Sequence, residues 1–161
     1  MVKIYEYQNN NQDAVIKLIL EIQKKEYGLQ ITLEDQPDLL TIPSTYQVKS
    51  GGFWVAFSGT ELIGTIALLP LANQRVALRK MFVKKVYRGK ELNVAQQLLG
   101  TAFEWCREQK CEAVFLGTTD KFKAAHRFYE KNKFKKIMKT ELPTDFPILE
   151  VDSVFYRYEL N

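Results

Sequence analysis

Apolar and polar residues alternate over Lys3 to Tyr7, the period of a half-buried strand. The spacing then changes. Ala14, Val15, Leu18, Ile19 and Ile22 recur every three or four residues, the stripe of a helix that starts after Asn9-Asn10-Asn11 and ends near Gly28. Thr32 and Asp35 stand at capping-box spacing before a short second helix through Leu39 and Leu40, which Pro37 interrupts early. Pro43, Ser44 and Gly51-Gly52 mark an irregular stretch. Phe53 to Phe57 and Leu62 to Leu69 flank the turn Ser58-Gly59-Thr60 and read as a hairpin, and Pro70 to Asn73 turns the chain again into a strand at Val76 to Val83. A long helix follows at once, Glu91 to Gln109, with Leu92, Ala95, Leu98, Leu99, Ala102, Phe103 and Cys106 on one face. Ala113 to Leu116 is a continuous apolar run, as for a strand buried on both faces. Lys121 to Lys131 reads as a shorter helix, and Phe134 to Met138 and Ser153 to Leu160 as the last strands.

The predicted order is β-α-α-β-β-β-α-β-α-β-β. That is an α/β fold in which a strand meander joins a βαβ crossover, with about seven strands in one mixed sheet and helices flanking it. The last strand, Ser153 to Leu160, is expected to lie at an edge, where it could serve a homodimer.

A chain of 161 residues is long enough for one domain, 1–161, with a sizeable core. No apolar run approaches the roughly 20 residues of a membrane span, and Met1 to Tyr7 reads as a strand and not as a signal peptide. A cytoplasmic protein without membrane association is the expectation. The net charge of +4 fits an anionic ligand without requiring one. Lys131, Lys133, Lys135, Lys136 and Lys139 cluster, but Glu130 and Glu141 flank them, so this reads as a solvated face and no nucleic-acid partner is expected. Cys106, Cys111 and a single histidine make neither a disulfide framework nor a metal site.

The turn Arg88-Gly89-Lys90 changes the picture. It places two cations and a glycine between an apolar strand and a helix, whose first N–H groups have no intrahelical partner. That combination suits a polyphosphate. The segment is similar to the acyl-CoA pyrophosphate loop of the GNAT acetyltransferase superfamily, in which Arg or Gln is followed by two glycine-type positions. Arg88 fits; Glu91 stands where Gly is usual and Asn93 where Gly or Ala is usual. A second segment strengthens the resemblance. Ala125-His126-Arg127-Phe128-Tyr129-Glu130-Lys131-Asn132-Lys133-Phe134 resembles the family's Ala-x-x-Phe-Tyr-x-x-x-Gly-Phe, departing only at Lys133. Asn132 could take over the left-handed turn that Gly would make, or Lys133 could carry it under strain.

The resemblance implies a GNAT fold and an acetyl-CoA-dependent N-acetyltransferase. Arg88, Gly89, Lys90, Glu91, Leu92, Asn93 and Val94 would hold the pyrophosphate. Met81, Phe82 and Val83 would pair through their backbone with the pantetheine and the reacting carbonyl. Tyr129 would be the catalytic residue, hydrogen-bonding the departing thiolate, although its spacing alone also suits a core aromatic. The acceptor would be a small-molecule or peptide amine. The Glu that some members carry on the fourth strand is missing, for Ala77, Leu78, Arg79, Lys80 and Met81 stand there. Glu26, Glu34, Asp35, Asp38 and His126 are the candidates for a base, and Tyr27, Tyr46, Phe53 and Trp54 for an acceptor pocket. The three departures keep a second reading open, a non-catalytic acyl-CoA-binding sensor or interaction module. Glu91 matters most to it, since a carboxylate opening the helix would oppose phosphate.

Overall fold

The computed structural model describes residues 1–160. Strands β1 (Val2–Glu6), β2 (Gly52–Ser58), β3 (Glu61–Leu71) and β4 (Arg75–Val83) form an antiparallel meander. β5 (Ala113–Thr118) adds parallel to β4, and β6 (Lys135–Ile137) and β7 (Val154–Glu159) complete one seven-stranded mixed sheet in the order β1-β2-β3-β4-β5-β7-β6. Helices α1 (Gln12–Glu21), α2 (Ile42–Thr45), α3 (Val94–Glu108) and α4 (Lys123–Lys131) flank it. Among the described residues no helix is long and apolar enough to cross a membrane.

β2 shows why the middle of the sheet reads as continuous apolar sequence. Phe53 and Val55 pack with Val15, Ile19, Leu39 and Ile42 on one face, while Trp54 and Ala56 pack with Leu98, Leu99 and Ala102 of α3 on the other. Each fully buried Val, Leu or Ile contributes roughly 1.5–3 kcal/mol. α3 approaches β3 closely over Gly64, where a Cβ would lie 3.1 Å from Leu98 Cδ1 and 3.2 Å from the Phe82 carbonyl oxygen. Gly64→Ala is therefore expected to destabilise the chain by about 1–2 kcal/mol through overpacking, read as a lowered urea midpoint.

Three expectations need correction, and one open alternative is decided. The long helix begins at Val94 and not at Glu91. Lys85–Tyr87 makes one 3-10 turn, Gly89 takes φ 118°, and Asn93, immediately before the helix, sits in the left-handed region at φ 55°. Glu91 thus lies in an exposed turn outside the first helical turn. Second, of the two alternatives at the end of α4 the structure takes Lys133, which holds the left-handed position at φ 74°, while Asn132 has φ −91°. Phe134 N–H donates to the Tyr129 carbonyl at 3.0 Å and Lys133 N–H to that of Glu130 at 3.2 Å, while the Phe134 ring packs 5.5 Å from that of Tyr129. That is a Schellman closure with its hydrophobic contact. Because Lys133 carries it without glycine, Lys133→Gly is expected to stabilise the protein by about 1 kcal/mol in chemical denaturation.

Third, β7 is not an edge strand. It pairs with β5 over Val154–Glu159 and with β6 over Phe155–Arg157, so the edges are β1 and β6. Fourth, the second helix breaks into a 3-10 turn, Pro37–Leu40, and the single turn α2. The Thr32–Asp35 capping bonds do form, at 3.0 and 3.3 Å, but they close an isolated turn.

Candidate active site

β4 and β5 pair at only three positions, Arg75 with Ala113, Val76 with Val114 and Ala77 with Phe115. Beyond them the strands separate. The cause lies on the other side of β4, where Thr65 faces Phe82 while Ala67 faces Arg79. Two steps along β3 oppose three along β4, so β4 carries an extra residue. Lys80 absorbs it with φ 53°, and the Thr65 hydroxyl donates to the Lys80 carbonyl at 2.6 Å. Such a bulge increases twist and bends its strand. The second half of β4 swings away from β5, leaving backbone groups on the facing edges without strand partners. An extended, amide-bearing ligand can pair with such an edge as an added strand would.

At the α3 end of this cleft is a cavity of about 210 Å³ lined by Val83, Arg88, Gly89, Lys90, Asn93, Val94, Ala95, Gln96, Phe128 and Lys131. Among the described residues, the N–H groups of Val94, Ala95 and Gln96 donate to no carbonyl or side chain, and the first bonded amide is that of Gln97, to the Asn93 carbonyl at 3.0 Å. Free N–H groups at a helix N-terminus with Lys90 and Lys131 beside them suit a diphosphate. Arg88 is partly engaged: its Nε donates to the Val83 carbonyl at 2.8 Å, and one terminal nitrogen lies 2.6 Å from Glu26 Oε1, an ion-pair contact whose direction leaves that oxygen without a proper hydrogen bond. Glu91 and Leu92 are exposed and do not line the cavity.

A second cavity, about 110 Å³, lies further along the cleft. Its lining includes Arg79, Lys80, Met81 and Phe82 of β4, Gly117 of β5, Ala125 and Tyr129 of α4, Gln23 and Gln36, and Asp152. Val83 and Phe128 line the first cavity while Phe82 and Tyr129 line the second. Adjacent residues on one strand and on one helix thus connect the two.

Tyr129 is 7% exposed, and among the described residues its hydroxyl donates only to the Met81 thioether sulfur, at 3.9 Å. Desolvation, with a smaller contribution from Tyr156, pushes its pKa well up. The phenol therefore stays protonated, with a weak acceptor as its partner.

Lys80 is a buried charge in this lining that spacing did not single out. Its ammonium donates to Gln36 Oε1 at 2.5 Å and lies 3.5 Å from Asp38, and Gln36 is bound to Gln23 at 2.9 and 3.2 Å. Burial lowers its pKa to about 8, outweighing the opposing pull of Asp38. The one signal was an uninterpreted lysine inside an apolar strand.

The expected bases are mostly occupied or remote. Asp38 accepts from the Tyr46 hydroxyl at 2.6 Å and faces Lys80, Asp35 caps its own turn, Glu26 faces Arg88, and Glu34 is exposed. His126 Nε2 lies 2.9 Å from the Thr119 carbonyl and outside the cavity lining. The carboxylate that does line the cavity is Asp152, in the loop before β7, where no motif spacing marks it. Of the expected acceptor aromatics, Tyr46, Phe53 and Trp54 are core residues, and Tyr27 packs edge-on, 4.4 Å away, against Phe122 of the lining.

The family model for the acetyltransferase (GNAT) family matches residues 16–134. A GNAT-family acetyltransferase from Staphylococcus aureus Mu50 is 40% identical with a TM-score of 0.96, each chain covered in full. The paia N-acetyltransferase of Thermoplasma acidophilum, solved in complex with coenzyme A, shares the fold at TM-score 0.75 and 19% identity, over 99% of both chains. Human N-acetyltransferase 8B is 26% identical over 145 residues, 86% of this chain and 63% of its own length. The chain spans a little over half the length of most curated relatives it matches.

Proposed function

The chain belongs to the GNAT acetyltransferase family, and from that premise we propose that it transfers an acetyl group from acetyl-CoA to a primary amine by direct attack. The observation that carries this reading is the Tyr129 hydroxyl. It is buried, protonated, weakly satisfied, and lines the second cavity, one residue along α4 from Phe128 of the diphosphate-type cavity. A core tyrosine normally gives its hydroxyl a better partner than a thioether.

The residues divide the work along the cleft. Lys90, Lys131 and the N–H groups of Val94, Ala95 and Gln96 hold the pyrophosphate, and Arg88 joins them by exchanging Glu26 for phosphate oxygen. Met81, Phe82 and Val83 offer backbone groups to the pantetheine and to the oxygen that gains charge as the amine attacks. Acetyl-CoA supplies an activated acyl group on a thiol leaving group. Tyr129 donates a hydrogen bond to the departing sulfur. Its raised pKa makes complete proton transfer to a thiolate of pKa about 8.5 steeply uphill, so the phenol stabilises charge and does not serve as the final proton source.

Titration calorimetry with acetyl-CoA and with CoA tests the cofactor assignment, and micromolar or tighter binding is expected. Lys131→Met should weaken CoA by roughly three- to tenfold, whereas Glu91→Gln should change it by less than about twofold, because Glu91 lies outside the seat. A larger effect of Glu91→Gln would move the phosphates toward the exposed turn.

A further inference from the structure

Resting on the acetyl-transfer reading, we infer that the acceptor is an amino-acid-like zwitterion, its carboxylate held by Arg79 and its ammonium by Asp152. Arg79 projects from β4 between two buried neighbours, Leu78 and Lys80, and lines the second cavity half-buried. The ion pairs among the described residues are Lys80–Asp38, Lys84–Glu61, Arg88–Glu26 and Arg157–Glu159, and none involves Arg79. Its guanidinium neighbours the Tyr46 hydroxyl, a neutral group that donates to Asp38, and among the described residues it makes no side-chain hydrogen bond to a carboxylate. A half-buried guanidinium left without an anion is costly, and a ligand carboxylate satisfies it in a two-pronged geometry that no neutral group matches.

Asp152 occupies the facing wall. Its Oδ2 accepts the Leu149 N–H at 2.9 Å, which fixes the carboxylate over Gly117 of β5; a Cβ on that glycine would meet Oδ2 at 2.7 Å and Cγ at 2.9 Å. Among the described residues no cation forms an ion pair with it. Burial raises its pKa, with the Leu149 amide and the charge of Arg79 pulling the other way, and this makes it a better proton acceptor than an exposed aspartate. Lys80 does not cancel it, being engaged by Gln36 and Asp38. The cavity thus presents a cation on the β4 wall and an anion over β5, which feel each other's charge without closing into an ion pair, with Tyr129 also in the lining. A zwitterion satisfies both, whereas a simple amine leaves Arg79 unpaired.

The transfer balances with these groups. One ammonium proton passes to the Asp152 carboxylate. The freed nitrogen lone pair forms the N–C bond at the thioester carbonyl, and the C–S bond breaks with its electron pair leaving on sulfur. The second proton lost from nitrogen ends on the thiolate, and Asp152 returns its proton to solvent. The products are the N-acetylated acid, CoA thiol and one proton.

The test compares amino acids with their α-amides and with amines of the same skeleton lacking the carboxylate. It follows thiol release and, separately, calorimetric binding of the free amino acid to CoA-saturated protein. The carboxylate series should be preferred by at least about tenfold in kcat/KM. Arg79→Met should erase that preference, lowering kcat/KM for the acids roughly tenfold to hundredfold and weakening amino-acid binding in parallel, with CoA affinity unchanged and no comparable loss for the amines; Arg79→Lys should restore part of it. Asp152→Asn should weaken binding of acids and amines alike. Equal use of acids and amides, or an Arg79→Met loss shared by all amines, overturns the assignment while leaving acetyl transfer intact. Failure of the wild-type chain to bind CoA overturns the acetyl-transfer reading and this inference with it.

Discussion

Tyr129→Phe is expected to lower kcat by roughly 10³-fold while leaving the Kd for CoA within about twofold. The variant removes one oxygen and keeps the ring that packs against Phe128, Phe134 and Tyr156. It strands no strong partner, because the lost hydrogen bond runs to a thioether at 3.9 Å. Stability should therefore change little, and the effect isolates charge stabilisation at the leaving sulfur. In the proposed assignment cofactor affinity is set elsewhere, at the α3 N-terminus and Lys131. An equal fall in kcat and CoA affinity would mean that the phenol holds the ligand and does not act on the departing group. No fall in kcat would leave Tyr129 as a core aromatic.

The second large effect concerns stability against pH. Lys80 has an ordinary pKa of 10.5 and a folded-state value of about 8, lowered first by burial. Below pH 8 both states are charged and the folded chain carries the whole cost. Between pH 8 and 10.5 the unfolded chain binds the proton that the folded chain has lost, so stability rises with pH. The shift corresponds to roughly 3 kcal/mol. Tyr46 and Tyr129 work in the opposite sense, since burial raises both, and above about pH 10 the unfolded chain releases phenol protons that the folded chain keeps. Wild-type stability should therefore climb from pH 8 and turn over above about pH 10. Lys80→Met removes the climb. The difference in unfolding free energy between wild type and Lys80→Met should move in favour of wild type by roughly 2–3 kcal/mol between pH 7.5 and 10 in urea titrations. Parallel curves would show that Lys80 stays charged in the fold.

Lys80 also shows where the sequence stopped being readable. The strands and the order of elements were legible because β2, β3 and β5 bury both faces and appear as apolar runs, and because the stripes of α1 and α3 keep helical spacing. Backbone conformations that side-chain pattern does not encode were lost. Leu92 continues the apolar period of α3 backward, so the helix was started three residues early, although the left-handed Asn93 forbids it. Asn132 looked like the turn residue by propensity, but its side chain is used otherwise, accepting from Gln96 at 2.8 Å and donating to the Phe128 carbonyl at 2.9 Å, and Lys133 takes the turn. The bulge at Lys80 depends on a register mismatch with β3, which no local window contains.

The candidate site divides in the same way. The proposed phosphate seat and Tyr129 could be picked out because each sits in one contiguous stretch whose chemistry and spacing belong together. Arg88, Gly89, Lys90, Asn93 and Val94 do come together around one cavity, with Lys131 added from α4 by tertiary packing. Asp152 was invisible. It reaches Gly117 only because β7 inserts between β5 and β6 and draws the preceding loop across the open end of β5.

Amine-dependent thiol release from acetyl-CoA, with mass spectrometry of the product, tests the central claim most directly. The account predicts release only when an acceptor amine is present, a product heavier by one acetyl group on nitrogen, and near-complete loss of both in Tyr129→Phe. Tight binding of acetyl-CoA with no amine-dependent release across amino acids, amines and peptides would contradict it, leaving a protein that holds acyl-CoA without transferring the acyl group.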